Sequence, residues 1–203
     1  MSVEVRTRPA AAIAADPGVI GSVAVTAAAG VGLHTFGTVD PMHQMLSDTI
    51  STTAGAILLG VACAGLVAAA GFLAAAARHT PRPGVVRALL GLWAASLVAV
   101  VVFPTNLPGT ELTMSGIIHR YGAAVAVAVP PLVALLVART RRLRTAALVT
   151  GGMAAVYGVA HIPAIFAGAE VLPYAGLCER VLLAMVLLVV VLTSSDLKKR
   201  SWT

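Results

Sequence analysis

The sequence predicts an all-α integral membrane bundle of six transmembrane helices with both termini in the cytoplasm. Three observations lead there. Of the 203 residues, 59% are hydrophobic and only 11% are charged, with a mean hydropathy of +0.94. A soluble domain carries about 25% charged residues, and a disordered chain has still fewer apolar ones. The apolar residues fall into six continuous runs, each near the ~20 residues that a helix needs to cross hydrocarbon. The basic residues alternate between connections. Continuous runs exclude a transmembrane barrel, which alternates apolar and polar residues, and an open sheet would strand backbone polar groups in lipid.

The first span is read at 17–36, with Asp16 as N-cap and Pro17 at the first helical position. The same run has Arg6 and Arg8 before it, as a cleaved signal peptide would. The Asp16-Pro17 interruption and the length beyond it favour a retained span. A polar loop, 37–50, leads to the second span at 51–77. The third, 85–103, stops at Pro104, and the fourth covers 115–138. The fifth covers 145–167 and the sixth 174–193. The chain thus divides into an N-terminal tail (1–16), a transmembrane domain (17–193) and a basic C-terminal tail (194–203).

Arg6 and Arg8 precede the first span. Arg78, Arg82 and Arg87 flank the second connection. Arg139, Arg141, Arg142 and Arg144 flank the fourth, and Lys198, Lys199 and Arg200 end the chain. The other three connections carry no Lys or Arg, so the positive-inside rule places both termini in the cytoplasm of a plasma membrane. Contact with anionic membrane lipids accounts for the net charge of +6 without nucleic acid.

Arg120 and Arg180 break this pattern, since each lies inside a span near its outer end. An intramembrane charge pairs or faces a cavity, so Arg120 is the expected partner of Glu179. Asp40, Asp48, Glu111, Glu170 and Glu179, with His34, His43, His119 and His161, gather at the same outer side. Ser115 and His119 share a helix face, and Tyr121 follows Arg120. Pro130-Pro131 and Pro163 should kink their spans and free backbone carbonyls. These residues outline a polar chamber at the outer face. Glu179, His119 and Asp48 are its candidate acid/base groups. Arg120, Arg180, Tyr121, Ser115 and His161 are its candidate substrate-binding groups.

The residues leave several functions open. The leading one is a membrane-embedded enzyme, with acid/base chemistry such as cyclisation or isomerisation, or a binding protein for a lipophilic small molecule such as an isoprenoid or lipid. The alternative is a non-catalytic membrane subunit or transporter-like protein whose intramembrane charges are structural. No metal and no cofactor is expected. His43, Asp48, His119 and His161 offer zinc ligands, but no His-x-x-x-His spacing fixes two on one helix. Haem between His34 and His119 or His161 is disfavoured because the histidines sit at one side only. Cys63 and Cys178 lie at different depths and read as small packing residues, not a disulfide. Met42 and Met45 around His43 read as an amphipathic loop rather than a copper site. No inverted repeat supports a transporter.

Phe103-Pro104-Thr105-Asn106, Ser115-Gly116-Ile117-Ile118-His119 and Gly176-Leu177-Cys178-Glu179-Arg180 together resemble the multi-pass membrane family catalogued as domain of unknown function 998. That family's pattern is a Phe-Pro with a polar residue, a Gly-x-x-His and a Gly-x-x-Glu-Arg. The acid that often follows its Phe-Pro is Asn106 here. The resemblance covers most of the chain and implies a six-helix bundle without implying a reaction. It selects the same three segments that the charge pattern isolates.

Overall fold

A computed structural model describes residues 15–36, 39–106, 110–166 and 173–200. Six helices long and apolar enough to span a membrane follow in chain order. They are α1 (Pro17–Phe36), α2 (Thr53–Ala76), α3 (Pro83–Val102), α4 (Met114–Val137), α5 (Arg141–Phe166) and α6 (Ala175–Arg200), and no strand occurs among the described residues. The N-terminal arginines, Glu170 and the side chain of Pro163 lie outside the described residues. Consecutive helices pack side by side, and α6 closes the bundle against α1, α2, α4 and α5.

Polar residues at the span ends cap the helices as their types require. Asp16 Oδ1 accepts from the Gly18 N–H at 2.8 Å. Thr52 and Thr113 accept from the N–H groups of Gly55 and Gly116 at the starts of α2 and α4. α6 departs from the sequence expectation. It does not end at Thr193 but continues through Arg200, so Ser194–Asp196 are buried helix rather than tail. The extra turns bring the Asp196 carboxylate to the start of α5, where Oδ2 accepts from the Arg139 and Thr140 N–H groups, each at 3.0 Å.

The core is built of Leu66, Leu73, Leu90, Trp93, Val133, Val137, Val186 and Val190, contributed by α2, α3, α4 and α6. The outer surface is apolar as well: Ile57, Val101, Leu132, Val156 and Val159 are all exposed. Apolar residues outside and inside alike are what a lipid solvent selects, since no hydrophobic force separates helix from lipid. Close packing and hydrogen bonds therefore hold the helices together. A Cβ on Gly65 would meet Thr26 Oγ1 and the Ser22 carbonyl, and Thr26 Oγ1 donates to the Ala62 carbonyl at 3.0 Å.

Two prolines withdraw backbone donors, and two aromatic rings replace them. Pro130 has no N–H for the Ala126 carbonyl four residues earlier, and Trp93 Nε1 of α3 donates to that carbonyl at 2.9 Å. Pro104 likewise leaves the Val100 carbonyl without its helical donor. His119 of α4 supplies the hydrogen, as described below. The kink-and-freed-carbonyl reading of Pro130-Pro131 is thus met in part by an interhelical bond. Trp93→Phe keeps an aromatic ring in the core but removes the indole N–H and part of the ring volume, leaving the Ala126 carbonyl without its donor. We expect a loss of about 2 kcal/mol, read as a lowered midpoint of unfolding in detergent with helix content retained.

Candidate functional site

The described acidic and histidine side chains named above collect at the bundle end opposite Asp16, Asp196 and the arginines of the two basic connections. There the loop between α1 and α2 folds back across the helix ends. Asp40 Oδ1 accepts from the Met42 N–H at 2.8 Å, and Oδ2 pairs with His43 Nδ1 at 2.8 Å. The His43 hydrogen bond holds the Asp40 carboxyl below its ordinary range. The His43 ring lies 5.2 Å from that of Tyr174, which enters α6 in the left-handed region at φ 61°. Such a backbone conformation is uncommon for a bulky side chain.

The start of α6 grips this loop. Glu179 Oε2 accepts from the Leu46 N–H at 2.7 Å, and Arg180 Nη1 donates to the Gln44 carbonyl at 2.9 Å. The Leu177 N–H donates to the Met42 carbonyl at 3.1 Å. Gly176 is required because a Cβ there would run into the Gln44 carbonyl. The Gly-x-x-Glu-Arg segment is therefore a backbone clamp, with one residue accepting and the next donating. The expected Arg120–Glu179 ion pair does not form: among the described residues the sole ion pair is His43–Asp40, and Glu179 is taken by Leu46.

The Gly-x-x-His segment of α4 is a second clamp. His119 is buried, and its Nδ1–H donates to the Val100 and Phe103 carbonyls at 3.0 and 2.9 Å. Carbonyls only accept, so a hydrogen sits on Nδ1. Gly116 leaves room for the Asn106 amide, whose Nδ2 donates to the Glu111 carbonyl. Ser115 Oγ donates to the Pro104 carbonyl at 2.9 Å. Asp48 sits between the clamps. Its Oδ2 accepts from the Met45 N–H at 2.9 Å. Burial pushes its carboxyl above the ordinary range, against the pull of that N–H and the positive potential of His119 and Arg180.

Two buried atoms at this end have no partner: Arg180 Nη2 and His161 Nε2. The remaining Arg180 nitrogens are engaged, Nη1 with Gln44 and Gly176 and Nε with His34 Nε2 at 3.4 Å. His161 Nδ1–H donates to the Tyr157 carbonyl at 2.8 Å, which leaves Nε2 as the ring nitrogen without a partner. Tyr157 joins the two. Its ring lies 4.1 Å from that of His161, and its hydroxyl donates to the Ala175 carbonyl at 3.2 Å, one residue before the Gly176 that Arg180 holds. Asp48, Cys178, Glu179 and Arg180 all lie within electrostatic reach of that hydroxyl.

Of the residues singled out by sequence, Asp48, His119, Glu179, Arg180 and His161 thus come together. Ser115, in the first turn of α4, is bound to the Pro104 carbonyl, and Tyr121 is 60% exposed on the outside of α4. Tyr157 escaped the sequence reading. Its place four residues before His161, on the same helix face, was the available signal. Gln44 and Leu46 contribute backbone atoms only and left no signal. Among the described residues, no three His, Cys, Asp or Glu side chains converge to hold a metal ion. The sequence profile of a family described as a protein of unknown function, DUF998, matches residues 19–196. No curated protein and no solved structure matches the chain.

Proposed function

Because the chain belongs to the DUF998 family, whose description assigns no activity, we propose its function from geometry: it binds a lipophilic small molecule, an isoprenoid or lipid, at the polar end of the bundle. The basic end faces the cytoplasm of a plasma membrane, so the polar end opens outward. The observation that carries the proposal is the pair of unpartnered buried atoms, the cationic donor Arg180 Nη2 and His161 Nε2. Unmade hydrogen bonds of buried groups cost about 1–3 kcal/mol each, more for a charged one. A ligand offering an oxygen acceptor and a hydroxyl donor satisfies both. In this reading Asp48, whose carboxyl burial holds protonated to higher pH, and His119, anchored through Nδ1, exchange protons with such a ligand. Glu179 is the third acid/base group.

A second reading rests on the clamps: Glu179 and Arg180 bind loop backbone, as purely structural residues would. His161→Phe separates the two, because it keeps a ring against Tyr157 while removing Nε2. Mass spectrometry of small amphiphiles retained by the purified chain is expected to show a species bound to wild type. In His161→Phe it should fall about tenfold, with the melting temperature in detergent little changed. Equal retention by both proteins, or no species on wild type, overturns the proposal and leaves the structural reading.

A further inference from the structure

α5 is the most peripheral helix: 17% of its apolar stretch is buried, against 28–39% for the others. Near the basic end, a groove of about 550 Å³ opens between α5 and α6. Val149, Met185, Leu188 and Leu192 form its apolar length, and Arg141 and Arg142 stand at its mouth. From Arg141 to Val149 is eight residues, or about 12 Å along the helix, a depth that reaches from the membrane surface into the acyl region. Both arginines are exposed, and neither joins an ion pair among the described residues. Asp196, beside the start of α5, is 3% exposed, and its oxygens are taken by the Arg139 and Thr140 N–H groups rather than by either guanidinium.

An apolar slot on a lipid-facing surface, topped by two exposed arginines that join no ion pair among the described residues, complements a phospholipid with a negative head group. We infer that this groove seats one anionic phospholipid, its acyl chain between α5 and α6 and its phosphate on Arg141 and Arg142. The site is separate from the polar end, and it stands or falls independently of the function proposed there. It also explains why two arginines open α5, where a helix N-terminus ordinarily favours acids. Their charge is directed at a ligand outside the helix.

The test is native mass spectrometry of the full chain extracted from vesicles holding phosphatidylglycerol and phosphatidylcholine in equal amounts. The wild type is expected to retain one phospholipid, with phosphatidylglycerol enriched on the order of tenfold, as two interfacial arginines imply. Arg141→Gln with Arg142→Gln should bring the two lipids near parity. Leu188→Trp, which fills the slot, should remove the adduct of both. All three side chains face outward, so circular dichroism should confirm an unchanged fold. Equal retention of both lipids by wild type, unchanged enrichment in the double variant, or an adduct undiminished by Leu188→Trp overturns the inference. So does displacement of the lipid by millimolar inorganic phosphate, which marks a phosphate site. A dimer mass abolished by Leu188→Trp also overturns it, because a second copy then fills the groove.

Discussion

Asp196→Ala is expected to cost about 3–5 kcal/mol, the largest loss of any single side chain outside the core. The carboxylate is 3% exposed and accepts from the Arg139 and Thr140 N–H groups and from Thr140 Oγ1 at 3.1 Å. Hydrogen bonds to a charged acceptor contribute about 1.5–3 kcal/mol each, and the Thr140 N–H belongs to the orphan set at the start of α5. Alanine leaves both donors without the carboxylate that orders the α4–α5 connection. Asp196→Asn keeps one acceptor oxygen and should lose roughly half as much. The check is the unfolding midpoint in detergent for both variants. Hydrogen exchange should localise the loss to residues 139–145. A loss below about 1 kcal/mol, or one spread evenly over the bundle, contradicts this account.

That residue also shows where sequence reasoning stops. The six spans were legible because a lipid solvent demands ~20 apolar residues per crossing and tolerates no alternative backbone. The end of the last span was not. Apolarity ceases at Thr193, yet the helix runs on to Arg200, because Thr193 Oγ1 returns to the Val189 carbonyl and Asp196 serves a neighbouring helix. Polarity in such a segment marks a fixed contact, and hydropathy cannot tell that from solvation. The polar end was legible as a cluster and illegible as a set of partners. Glu179 and Arg120 were paired because both are side-chain charges at one depth. Glu179 instead takes the N–H of Leu46, and every residue carries such a group. Pro104 and His119 could have been linked from sequence alone, since a proline four residues after Val100 announces an orphan carbonyl and His119 is a ring donor within reach.

Gly176→Ala tests whether the Gly-x-x-Glu-Arg segment works as one unit. The new Cβ would collide with the Gln44 carbonyl and crowd Arg180 Nη1, and a backbone oxygen cannot swing aside as a side chain does. Either α6 shifts or the loop lifts, and lifting breaks the Leu46–Glu179, Gln44–Arg180 and Leu177–Met42 bonds together. Overpacking alone costs about 1–3 kcal/mol, and the shared loss of three bonds brings the expected total to about 3 kcal/mol. Gly116→Ala instead meets Asn106, chiefly its side-chain amide, which must give up its bonds to Glu111 and Thr113 to move aside, so its damage is confined to the α3–α4 connection. Proteolysis or hydrogen exchange should therefore show residues 40–50 deprotected in Gly176→Ala and unchanged in Gly116→Ala. Glu179→Gln is the companion, because its amide oxygen still accepts from Leu46 while the ionisable proton is gone. If the loop stays protected in Glu179→Gln, the clamp needs only an acceptor at that position. The choice of a carboxylate there then points to proton chemistry at the polar end. If the loop opens as in Gly176→Ala, the negative charge itself holds the loop, and Glu179 is structural.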